Sequence, residues 1–122
     1  MEKQAFMARF AARMKEEREE IQRKMQAYQA QECADDAMLE KIRLNICEAL
    51  AAAVNAGSRM ETLDEALAFG EKKLKEIPAQ WQKNMEAAHL HGDEKLRVIE
   101  AIKLDQAGRI RAIFQCCREE KA

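Results

Sequence analysis

From Glu2 to about Gln31 the chain contains no residue that stops a helix. Along this stretch apolar side chains recur at Phe6, Phe10, Met14, Ile21, Met25 and Tyr28, with Met7 widening the stripe at its start. An amphipathic helix of about 30 residues must cover that stripe with other secondary structure. The rest of the sequence offers helices rather than strands to do so. Val54, Val98 and Thr62 are its only valines and threonine, against 22 alanines and long runs of Glu, Lys, Arg, Gln, Leu and Met. The expected fold is therefore all-α. At 122 residues the chain matches one domain spanning 1–122, long enough to bury a core without metal or disulfide staples.

Punctuation along the chain divides it into segments. A second helix is expected to begin near Asp35 or Asp36, either of which could cap it, and to carry Leu39, Ile42, Ile46, Leu50 and Val54 until Gly57 stops it. The apolar positions of the first helix also extrapolate through Glu32 and Asp35 onto Leu39 without a phase slip, so residues 2–55 could be one helix. Such a helix would run about 80 Å and would almost force an oligomer. Helices of that length are rare in ordinary domains, and a break is expected.

Thr62 and Glu65 form a capping box for a third helix with the stripe Leu63, Leu67, Gly70, Leu74 and Ile77, while Ser58 with Glu61 is a competing start. Pro78 is expected to end that helix and to open a fourth, running through Trp81, Met85 and Ala88 to the His91–Gly92 region. Asp93 then caps a last helix with Leu96, Ile99, Ile102, Ile110, Ile113 and Cys117 near one face, and Gly108 as a local weakness. The pattern predicts a helical bundle of four to five helices, with long first and last helices.

Few residues point to chemistry. Glu86 and His89 have the Glu-x-x-His spacing of carboxylate-bridged metal bundles, but no second copy exists, and His91 has Ala88 where its carboxylate should stand. His89 and His91 point about 160° apart on a continuing helix and suit its C-terminal dipole. Cys116 and Cys117 splay around the last helix, so one is expected in the core and its neighbour nearer solvent. Zinc binding by these cysteines would require tertiary structure to gather the histidines beside them. Thiolate chemistry is opposed by Glu119 and Glu120 beside Arg118 and Lys121. Gly-rich phosphate loops, G-x-S-x-G and H-E-x-x-H are all missing. No enzyme activity, cofactor or metal is expected. The alternative is a metal- or small-molecule-binding bundle that uses the Glu86, His89 and His91 region.

Charge and hydropathy narrow the partners. Lys and Arg number 21 against 22 Asp and Glu, a net charge of -1, and neither a basic stripe interleaved with aromatics nor a helix-turn-helix pattern stands out, so no nucleic-acid partner is expected. No run approaches the roughly 20 apolar residues of a membrane span, and the N-terminus lacks a signal-peptide pattern. Cys33, Cys47, Cys116 and Cys117 lack the spacing of a secreted disulfide framework, so free thiols and a cytoplasmic location are expected. Lys3, Arg9, Arg13 and Lys15 beside Phe6 and Phe10 permit contact with a membrane surface, although the acidic residues that follow would repel anionic lipid.

Protein contact is the remaining reading. The run KEEREE from Lys15 to Glu20 is expected to be a solvated face. The first helix, at about 45 Å, would outreach third and fourth helices of about 21 Å each, leaving part of its stripe uncovered. Self-association would cover it. The expected function is a non-catalytic interaction or self-associating module, a homodimer in its simplest form or a complex with another protein. Its candidate surface is Phe6, Met7, Phe10, Met14, Ile21 and Met25. A strict coiled coil fits less well, because taking Met7, Met14, Ile21 and Tyr28 as one core position places Glu17 and Lys24 on the other. Trp81, one turn after Pro78, is expected to lock the fourth helix against the bundle.

Overall fold

A computed structural model describes residues 2–120 and contains four α-helices: α1 (Glu2–Ala30), α2 (Ala34–Asn55), α3 (Leu63–Leu90) and α4 (Glu94–Glu119). A short 3-10 helix at Ala56–Arg59 carries α2 toward α3. The break expected after the first helix is present. There Glu32 takes the left-handed conformation, with φ of 59°, and the Cys33 N–H donates to the Tyr28 carbonyl at 2.8 Å while Glu32 N–H reaches Gln29 at 3.1 Å. This paired pattern is a Schellman turn, which satisfies the last carbonyls of a helix. A matching turn closes α3, with Gly92 at φ 70° and the Asp93 N–H donating to Ala88 at 2.8 Å.

The caps follow the sequence in two cases and depart from it in one. Thr62 and Glu65 form the full capping box, and the Asp93 carboxylate accepts from the Leu96 N–H at 3.1 Å. At the start of α2, Cys33 takes the cap position without a side-chain hydrogen bond, and Asp35 and Asp36 lie inside the first turn. There they still interact favourably with the helix dipole.

Pro78 does not end a helix. The expected third and fourth helices are a single 28-residue element with the proline inside it. An interior proline costs about 3 kcal/mol through its missing N–H and ring clash. Ile77 and Trp81, on either side of it, pack against the core and hold the helix through the defect. The fusion makes α3 about as long as the 29-residue α1, so the two short middle helices from which an overhang was expected do not exist.

The helices run alternately up and down. Arg13 in the first half of α1 pairs with Glu120 just past α4, and Lys3 at the start of α1 donates to the carbonyls of Ser58 and Met60 at 2.8 and 2.6 Å. Parallel α2 and α4 touch directly across the bundle, joined by the Arg43–Asp105 pair at 2.7 Å, whereas α1 and α3 barely meet. The cross-section is thus a flattened rhombus. Phe6, Phe10 and Phe114 form its densest region, with Phe114 set edge-on to both other rings at centroid distances of 5.3 and 6.0 Å. Met14, Leu50, Val54, Leu67, Leu74 and Ile110 complete this core.

Candidate interaction surface

Between its two ends the bundle carries a polar layer. Glu17 is only 9% exposed and receives Arg109 through two hydrogen bonds, 2.7 and 3.0 Å, and the Gln106 amide at 2.8 Å. Fully buried Gln106 also accepts from Arg43 at 3.0 Å and donates to the Cys47 sulfur at 3.4 Å. The Arg109 guanidinium holds the Glu17 carboxyl below its ordinary value of 4.5, although burial opposes the shift. Every polar atom of the Gln106 amide group is thereby engaged, so the layer ties α1, α2 and α4 together. Glu17 departs from the solvated face expected for KEEREE. The sequence did carry a sign of this, because position 17 falls on the inward register shared with Phe10.

Beyond that layer, toward the starts of α2 and α4, the packing thins. Ile21, one turn past Glu17, is still buried, and beyond it only Ala37, Ala88 and Glu100 are. One Glu100 oxygen accepts from Lys103 at 3.2 Å, and its other oxygen has no hydrogen-bond partner among the described residues. The large apolar side chains with the greatest exposure all lie at this end: Leu90 at 83%, Met38 at 56%, Leu96 at 39% and Val98 at 37%. Two grooves flank the first turns of α4. One, of about 440 Å³, is walled by Asp35, Met38 and Leu39 of α2 and by Glu94, Lys95, Val98 and Ile99 of α4. The other is lined by Met85, Glu86, His89, Leu90 and Arg97. This is the open end of the bundle, opposite the closed end filled by the phenylalanines.

The residues singled out in the sequence fall elsewhere or apart. Phe6, Phe10, Met14 and Ile21 are buried inside the chain's own core, and Met7 and Met25 are half-buried. The surface expected on the first helix is therefore corrected, because the chain's own core, chiefly its contacts with α2 and α4, buries Phe6, Phe10, Met14 and Ile21. Glu86 and His89 share a groove, but His91, at the C-cap of α3, is not among its walls. Among the described residues no three His, Cys, Asp or Glu side chains gather closely enough to hold a metal ion. Cys117 is buried and Cys116 exposed, as their adjacency implied, and all four cysteines are unpaired. Burial pushes the Cys47 thiol up to about 11. Trp81 is half-buried against the core with the Lys103 ammonium 5.9 Å from its ring centre.

No described helix is long and apolar enough to cross a membrane. Comparison of the chain with family models, with curated proteins and with solved structures found no match.

Proposed function

We propose that the chain is a non-catalytic docking module that works through protein–protein contact in the cytoplasm, self-association being its simplest form, and that its contact surface is the open end of the bundle. One observation carries this reading: Met38, Leu90, Leu96 and Val98, the most exposed large apolar side chains among the described residues, are gathered at that end. Single exposed apolar residues are ordinary on protein surfaces, but a concentration around grooves marks a contact site. The balanced charge favours a protein partner over a nucleic acid. Four unpaired thiols suit a reducing compartment.

The test is a double substitution, M38E with V98E, followed by light scattering to read mass and by circular dichroism to read helix content. The expected result is loss of association with the helical signal intact, since both side chains are exposed. Association unchanged by the two charges would overturn the reading. Charges at Phe10 and Met14 would not serve, because both are core residues and their loss would unfold the chain.

A further inference from the structure

The groove between α2 and α4 carries opposite charges on its two walls. Asp35 stands on the α2 side and Lys95 on the α4 side, and neither has an ion-pair partner among the described residues, whereas neighbouring Glu94 is held by Arg97. Between them lie Met38, Leu39, Val98 and Ile99. A rim of one sign would call for a partner of the other sign. A rim with one unpaired charge of each sign, on opposite walls, complements itself under a two-fold rotation. Shape agrees, because the start of α4 is a ridge between two grooves and exposes Leu96 and Val98. A net charge of -1 adds little repulsion between two copies.

We infer that the occupant of this groove is a second copy of the chain, related by a two-fold axis, with each α4 ridge seated in the other copy's α2–α4 groove and each Lys95 facing Asp35 of the second copy. The inference rests on the docking role of the open end and adds its partner and its register. Hydrophobic contact through Met38 and Val98 supplies the adhesion, and the paired charges set the orientation.

Sedimentation equilibrium of the full chain tests it with K95E, D35K and an equimolar mixture of the two. D36K serves as a control for charge reversal at the start of α2, because Asp36 is exposed and does not line the groove. Wild type is expected to pair at twice the 14.0 kDa chain mass. Each groove variant should weaken the pair by about tenfold or more, since a two-fold interface repeats the like-charge contact twice. D36K should not. The mixture should recover wild-type affinity, because both contacts of the mixed pair again join opposite signs. A mixture no tighter than its components overturns the two-fold register. Wild type that stays monomeric to about 1 mM overturns the second copy as occupant. If the pair forms and M38E with V98E leaves it unmoved, the docking role of the open end falls as well.

Discussion

The two ends of the bundle are built from the same four helices and differ in what those helices turn inward. At the closed end, where α1 and α3 begin, all four contribute large apolar groups: Phe6 and Phe10, Leu50 and Val54, Leu67, and Phe114. At the open end the fully buried positions past Ile21 are small or acidic, namely Ala37, Ala88 and Glu100, while Leu39, Ile42, Met85 and Ile99 are only half-buried and Met38, Leu90 and Val98 are exposed. An amphipathic stripe guarantees that a helix has an inner face, but close packing requires that the facing positions of its neighbours supply enough volume. The polar layer at Glu17 and Gln106 marks the change from one regime to the other. Stability is thus concentrated in one half, which frees the other to present apolar surface.

The sharpest test of that contrast pairs two truncations. Phe114→Ala should cost about 3 to 5 kcal/mol, whereas Leu90→Ala should stay within about 0.5 kcal/mol, both read from urea unfolding. Comparable losses would erase the distinction between the ends. Pro78, where α3 passes from the packed half to the thin one, gives an effect of opposite sign: Pro78→Ala should stabilise by up to about 3 kcal/mol by restoring a backbone donor within the helix. No gain would mean that the open half draws nothing from the continuity of α3.

The polar layer should respond to pH. Because the folded Glu17 carboxyl is held below 4.5, its contribution is fully present above that value and is lost as pH falls through the lower folded value. Glu17→Gln should cost about 1 to 3 kcal/mol at neutral pH. The gap from wild type should narrow as the pH of the unfolding series drops below 4.5. A constant gap would show that the charge of Glu17 contributes nothing. A smaller gain in stability is expected at the turn after α1. Glu32 occupies a left-handed conformation that Gly92 occupies at the equivalent turn after α3. Glu32→Gly should therefore stabilise by about 1 kcal/mol, measured by thermal melting.

Much of the fold was legible in the sequence, because helical periodicity and turn chemistry are local. Thr62 with Glu65 and Asp93 marked their helix starts correctly, and the stripe from Phe6 to Ile21 marked an inner face. Pro78 misled because a local rule was overridden by packing at Ile77 and Trp81, which depends on α3 meeting distant segments. The error spread: two short middle helices implied an overhanging first helix, and the interaction surface was placed on residues that the folded chain covers itself. The open end was not legible, since Met38, Leu90 and the pair Leu96 and Val98 lie on three different helices and are brought to one end only once the bundle forms. Glu17 was half-visible, on an inward register but inside a charged run.

One close contact in the closed end also fixes how the helices are indexed against each other. A Cβ placed on Gly70 would stand 2.8 Å from the Phe114 ring, so the ring is seated where α3 has no side chain. Shifting α4 along α3 by a helical turn, about 5.4 Å, would carry the ring toward Ala66 or Leu74, where a Cβ or a full side chain blocks the seat. Gly70 and Phe114 therefore act as a notch and pawl. They fix the axial phase of the α3–α4 hairpin, and with it the height at which the start of α4 stands beside α2.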